Sequence, residues 1–436
     1  AMAWCQHDDA LQHPGPGAAS FSPSFWKRAA GAIAILLAGA VILPKFHALL
    51  RPAGAISGRY LNLERSALGR NPLAHPRIYM DAAALAQLRA RAVTNAGGAF
   101  APLTRYLENE AGRAPPAPGL EDLRQEARGI PPQALAWALF GRQEHLDKAR
   151  RLAADLSLRL DVERHEDIEI AETIFALALA YDWLYAELTA HEKTILLNTI
   201  GAGAEALSGM AGRFPMLNNH RIVDAACLAV AGLACYGDSR AAAGWIRQGN
   251  REIELCARSF SDDGISPEGV AYAGYALEYI LKYYAAAVPL IQVSARPESW
   301  IRAFPEAFLR HTIARGAWKQ DDMILSFGDS PRHSWYGPGY LFARIACLYG
   351  DPVAQELAAQ FMAGQLDGDS SAPWLYALWF NPENPRQDWS GLPAARTFPN
   401  WGIHLARDSW RGDETVLGFK CSPAGGRKLR QGGRPF

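Results

Sequence analysis

Residues 222–236 and 270–288 are apolar on nearly every side of a helical wheel, so neither segment can lie on a surface. Each must be covered all round by other elements. Residues 168–185 add a third apolar segment, with Ile170, Ile174, Leu177, Tyr181 and Leu184 on one stripe. The segments between them, such as 240–259, are amphipathic, and 81–93 begins behind Asp81 as an N-cap. Clusters of Gly, Pro and Asp at 113–119, 212–215, 261–267 and 328–338 separate the pairs. Inner apolar helices alternating with outer amphipathic ones predict a mainly α fold, a curved (α/α) toroid of helical hairpins over residues 72–395. A straight solenoid is the rival, but the sequence shows no fixed period.

The two ends differ from this body. Residues 1–28 form a polar tail that ends in Lys27-Arg28, and residues 29–44 carry no charge before Lys45. Residues 29–50 are expected to be a transmembrane anchor or signal-like helix, followed by a linker at 51–71. The basic pair on the N-terminal side places the body on the extracytoplasmic side, periplasmic or extracellular; a peripheral or buried helix is the alternative. After Pro393 the texture changes again. Residues 401–406 and 415–421 read as short strands with a turn at 411–414, so 396–436 is expected to be the truncated start of an antiparallel β-sandwich.

Composition narrows the partners. With 44 basic and 44 acidic side chains the formal net charge is zero, which argues against nucleic acid, whose binding depends on concentrated positive charge. An anionic polysaccharide remains open, because a cleft needs only a local cluster of cations. The six cysteines include no Cys-x-x-Cys pair, which argues against a zinc-cysteine site and a disulfide scaffold. The chain carries no signal of an oligomeric state.

Polar groups gather at the starts of two apolar helices. Asn218-Asn219-His220 opens the segment at 222–236, and Pro267-Glu268-Gly269 precedes the segment that carries Tyr272 and Tyr275. Spacing of i and i+3 puts both tyrosines on one helical face. His75-Pro76-Arg77-Ile78-Tyr79, Phe327-Gly328-Asp329-Ser330 and Ala406-Arg407-Asp408-Ser409-Trp410 complete a set of short motifs in order. Over about 72–426 this set resembles the heparinase II/III-like polysaccharide lyases, including relatives acting on alginate.

The resemblance implies a toroid followed by a β-sandwich, with β-elimination at a uronic acid. It implies Asn219, His220, Tyr275 and Tyr272 as catalytic groups, Tyr275 being preferred over Tyr272 on the family's spacing from His220. The sandwich of such enzymes supplies a further histidine and often a metal site. No histidine follows His404, so no metal and no cofactor are expected here.

The chemistry explains why these residue types are needed. A proton beside a carboxylate leaves only if the carboxylate is neutralised and the developing charge is stabilised. Asn219 can donate an amide N–H, His220 can donate or act as base, and a tyrosine can return a proton to the leaving oxygen. Asn218, Glu268, Arg332, His333 and Trp183 are the candidate substrate-binding residues. Each also has a bland reading: Asn218 and Asn219 as helix caps, Glu268 as a first-turn acid answering its helix dipole, Trp183 as a cap on the core, Arg332 as a solvated side chain. Asp329 reads best as a turn former, and Asp224, four residues after His220, as the group that holds its imidazole. A toroidal hydrolase acting on uronyl ends is the alternative enzyme. It needs two carboxylates flanking one bond, for which Asp182 and Glu268 are the candidates. A truncated, non-catalytic glycan-binding protein is the third reading.

Overall fold

Several of the described helices begin at residues that cap them. Asp122, Thr189, Asn218 and Asp351 accept backbone N–H bonds at the starts of the helices that follow them, and Glu169 and Glu192 close capping boxes with Glu166 and Thr189. The computed structural model describes residues 73–94, 98–112, 122–312, 324–330, 339–366, 371–411 and 414–421. Among them are thirteen helices: α1 (Ala82–Thr94), α2 (Ala101–Ala111), α3 (Leu123–Phe140), α4 (Gln143–Arg159), α5 (Asp167–Trp183), α6 (Ala190–Met210), α7 (Asn219–Cys235), α8 (Ala242–Ala257), α9 (Val270–Ala287), α10 (Glu298–His311), α11 (Gly339–Tyr349), α12 (Pro352–Met362) and α13 (Trp374–Trp379). Strands β1 (Ala395–Phe398), β2 (Ile403–Arg407) and β3 (Val416–Lys420) follow. The fold is mainly helical with a small C-terminal sheet. The expected anchor at 29–50, with its tail and linker, lies outside the described residues. None of the described helices is long and apolar enough to cross a membrane.

The helices pair as the apolar pattern requires. α3 packs on α4, α5 on α6, α7 on α8 and α11 on α12, while α3, α5, α7, α9 and α11 pack on one another in succession. α11 then meets α13, and α13 meets α2 and α3. In α5 every residue except Glu169 is buried, in α7 every residue except His220 and Arg221, and in α9 every residue except Tyr272. The single stripe expected for α5 was too narrow; the helix is covered all round. Close approach helps this coverage. A Cβ on Gly249 of α8 would come within 2.5 Å of the Ala225 carbonyl on α7, so only glycine lets these backbones meet.

α5 and α7 run parallel, because their first turns meet at one end and their C-termini share partners at the other. At that second end Asp182, fully buried, accepts the backbone N–H groups of Arg77 at 2.9 Å and Ile78 at 2.8 Å. His75 Nδ1 donates to the same carboxylate at 2.6 Å, and Arg77 Nη1 donates to the Tyr236 carbonyl at 2.6 Å. One acid therefore ties the segment that opens the helical body to the ends of both helices.

The sheet is antiparallel in the order β1-β2-β3, with Phe398 opposite Ile403 and Arg407 opposite Val416. β1 was not expected from the sequence. Phe398, Ile403 and Leu405 form a small core with Ile265 and with Ala307 of α10. Arg407, buried against the Trp410 ring at 3.9 Å, donates from Nη2 to the carbonyls of Leu309, Arg310 and Thr312 at 3.0–3.2 Å. A cation thereby satisfies the last carbonyls of α10, where the helix dipole is negative, and Glu414 balances it at 3.0 Å. Two strands alone would be marginal in water; three strands on a helix are not.

Asp182→Ala should lower the unfolding free energy by roughly 3–5 kcal/mol, the usual cost of leaving buried cations and donors without their carboxylate. Urea denaturation measures this, and a loss under about 1 kcal/mol would contradict the clamp.

Candidate functional site

The few uncovered residues of the three core helices all lie in their N-terminal turns: Glu169 on α5, His220 and Arg221 on α7, Tyr272 on α9. Helix starts present unpaired N–H groups and partial positive charge. A half-buried side chain in the first turn or so of a buried helix therefore stands in a region of partial positive charge.

Glu268 organises the start of α7. Its Oε1 accepts from Asn218 Nδ2 at 2.6 Å, and its Oε2 accepts from Asn219 N at 2.9 Å and Asn219 Nδ2 at 3.1 Å. Asn218 in turn accepts from His220 N at 3.1 Å. The acid, expected as a substrate-binding residue or as a first-turn acid of its own helix, bonds the N-terminus of a neighbouring one. The backbone reaches this place through Gly269, at φ 97°, where a Cβ would lie 2.2 Å from the Phe327 carbonyl. Ser330 Oγ then accepts from Ala271 N at 2.9 Å and so caps α9. Burial pushes the Glu268 carboxyl up, and the hydrogen bonds from Asn219 and Asn218 only partly offset it.

His220 is oriented by Asp167, the first residue of α5. Nδ1–H donates to Asp167 Oδ2 at 2.7 Å, while 28% of the imidazole side chain remains exposed. The Phe214 ring packs against it at 4.8 Å between centroids. Asp224, expected to hold this ring, is buried, and Asp167 holds the ring instead. Burial acts to raise the Asp167 carboxyl, but the hydrogen bond and charge of His220 and the backbone N–H groups of Asp167 and Ile168 outweigh it and hold it low. The imidazole thus has one nitrogen fixed on a carboxylate and the other, Nε2, without a partner among the described residues.

The second tyrosine sits deeper. Tyr275 donates to Glu172 Oε1 at 2.6 Å, and Arg124 Nη2 donates to the phenol oxygen at 3.1 Å. Arg124 and Arg128, one turn apart on α3, also hold Glu172 at 2.8 Å and 3.0 Å. Burial alone would raise Glu172; the two guanidinium groups outweigh it and bring it down to about 2. Tyr272 is half-buried, and burial, with the charges of Glu268 and Asp329, pushes its phenol up. Below Tyr275, Glu278 and Lys282 form an ion pair inside the core, where Tyr340 donates to Glu278 at 2.7 Å.

The sequence reading is corrected at several points. Trp183 is no sugar platform: its ring packs edge-on against Trp374 at 5.6 Å, and its N–H donates to the Ile78 carbonyl at 3.0 Å. Asp182 belongs to the far end of α5, so it cannot flank one bond together with Glu268. Arg332 and His333 lie outside the described residues. Asp329 occupies an exposed turn. Four residues were missed: Asp167, Glu172, Arg124 and Arg128. A lone Glu172 inside an apolar run was the available signal, since a charge there needs buried partners. Among the described residues no cluster of three or more His, Cys, Asp or Glu is placed to hold a metal ion.

No protein-family model matches the chain. Among solved structures it is similar to the crystal structure of heparinase III, at 14% sequence identity and a TM-score of 0.49, over 69% of this chain and 45% of that one. The chain thus spans less than half the length of that protein.

Glu172→Gln should cost about 3 kcal/mol of stability at neutral pH, from a carboxyl held at about 2 against an unfolded value near 4.3. Because the folded value is depressed, the contribution is full above the unfolded value and is lost as pH falls through the folded one. The gap in unfolding free energy between the native protein and the variant should therefore close between about pH 5 and pH 2. A gap that stays constant with pH would count against the assignment.

Proposed function

We propose that this protein is a polysaccharide lyase that cleaves a uronic-acid-containing polysaccharide by β-elimination, on an (α/α) toroid followed by the start of a β-sandwich. The return of the helical succession from α13 to α2 and α3 supports the toroid. The observation that carries the chemistry is the half-buried His220 imidazole fixed through Nδ1 on Asp167, with Asn219 preceding it on α7 and the two phenols in the first turns of α9.

In this reading Asn219, held by Glu268, and the Arg124 guanidinium neutralise the uronate carboxylate. His220 Nε2 takes the proton from the carbon beside that carboxylate. The electron pair forms a carbon–carbon double bond, the glycosidic C–O bond breaks, and a phenol from the 272–275 turn returns a proton to the leaving oxygen. Tyr272, kept protonated at neutral pH, is the more exposed of the two. Nothing in this sequence of events needs a second nucleophile, whereas hydrolysis needs a carboxylate pair across one bond.

The full chain incubated with alginate, heparan sulfate and related uronans should generate the absorbance of the new double bond. His220→Ala should lower kcat by about 100-fold or more. Asn219→Ala should act by about 10- to 1,000-fold. The larger loss between Tyr272→Phe and Tyr275→Phe identifies the proton donor. Reducing ends released without absorbance would replace this reading with a hydrolase, and binding without turnover would replace it with a glycan-binding protein.

A further inference from the structure

We propose that Arg124 and Arg128 of α3 together form a binding site for the carboxylate of an acidic sugar. The inference deepens the lyase reading, which uses Arg124 alone, and rests on it for the sugar. Binding itself needs no turnover, so the two readings can fail separately.

Both arginines lie in the first two turns of α3 and keep 30% of their side chains exposed. They share one acid, the buried Glu172 of α5. Arg124 Nη2 donates to Glu172 Oε1 at 2.8 Å, and Arg128 donates from Nε at 3.0 Å and from Nη2 at 3.1 Å. Two guanidinium groups on one carboxylate leave one positive charge over. The neighbouring acids do not cancel it. Glu126 of α3 is bonded to Arg159, and Glu278 of α9 to Lys282. Asp122, ahead of α3, caps that helix by accepting from the Arg124 and Gln125 backbone N–H groups.

Donors are left over as well as charge. Nη1 of each arginine has no hydrogen-bond partner among the described residues. Arg124 Nε is buried without one, and buried donors are seldom left unmet. Position adds to this. A cation in the first turn of a helix opposes the positive end of the helix dipole, whereas an anion there is favoured. Glu172, which also accepts from the Tyr275 phenol at 2.6 Å, holds both side chains in place. A carboxylate offers two coplanar oxygens that match the paired N–H groups of a guanidinium, and it cancels the surplus charge. A sugar hydroxyl does neither. Because Arg124 Nη2 also donates to the Tyr275 phenol oxygen at 3.1 Å, the site adjoins the 272–275 turn.

The test uses the full chain with D-glucuronate as probe and D-glucose as its neutral counterpart, read by ligand-observed NMR. Glucuronate should bind, and glucose at the same concentration should not. Arg128→Gln should weaken glucuronate binding by about tenfold or more. Arg128→Lys keeps the charge but loses the fork, so its loss should be smaller. No glucuronate binding, equal binding of the two sugars, or native affinity in Arg128→Gln overturns the proposal. Should Arg128→Gln not fold, phenylglyoxal labelling of the native chain decides, read by mass spectrometry at Arg124 and Arg128. Glucuronate at twice its Kd should slow that labelling about threefold, and glucose should not. Labelling that glucuronate leaves unchanged, or no labelling at either arginine, overturns the proposal. Turnover of a uronan without protection would strike this site and leave the lyase reading standing. Protection without turnover on any uronan would do the reverse.

Discussion

Three helix starts converge at one end of this fold, and the positive ends of their dipoles have to be answered by acids. α5, α7 and α9 are core helices with no other exposed turn, so their unpaired N–H groups cannot be left to water. Glu268 answers the start of α7, a Glu166–Glu169 capping box answers that of α5, and Asp167 holds the imidazole on α7. Ser330 answers α9 from a separate loop. Each partner comes from a different part of the chain. Satisfying the helix ends therefore fixes the relative positions of the candidate residues.

That arrangement separates rigid from available groups. Glu172 is locked by two arginines and a phenol, and Glu268 by two asparagines. Such saturated anions act as anchors, since moving any of their donors would expose a buried charge. The sheet contributes from behind. Trp401 donates to Ser261 Oγ at 3.1 Å and Asn400 to Asp263 at 3.2 Å, while Trp300 of α10 donates to the Ile265 carbonyl at 3.0 Å. All three contacts fall on the loop that ends in Glu268. The strands thus support the loop that carries the acid that sets Asn219.

Apolar runs were the legible part of the sequence. The segment at 270–288 became Val270–Ala287 and that at 168–185 became Asp167–Trp183, because continuous hydrocarbon leaves little choice of fold. The segment at 222–236 starts earlier, at Asn219, since a polar first turn carries no hydrophobic period to detect. Motif spacing found the groups on α7 and α9 but not their partners. In sequence nothing distinguishes Asp167 from an ordinary first-turn acid, or Arg124 and Arg128 from solvated charges on an amphipathic helix. The bonds of Glu268 to the start of α7 were not legible, because sequence distance cannot show that a loop turns its carboxylate across to a neighbour. β1 is four residues long and has no alternation of its own; only pairing with β2 makes it a strand.

Among the described residues a histidine–aspartate pair stands at each end of α5, and the two differ in how many of their ring nitrogens are in use. His75 donates through Nδ1 to Asp182, has Asp238 and the Arg77 guanidinium at Nε2, and stacks on the Tyr185 ring at 3.9 Å. Both of its nitrogens are in use, and its carboxylate is fully buried, so the pair behaves as a fastening. His220 has the same residue type on the same kind of acid at a similar distance. Only one of its nitrogens is engaged by a described residue, and its ring is open to solvent on one side. An imidazole can transfer a proton only through a nitrogen that is free to meet it. By that criterion the His75 end of α5 is a fastening, and the end where α5, α7 and α9 begin keeps an imidazole nitrogen available.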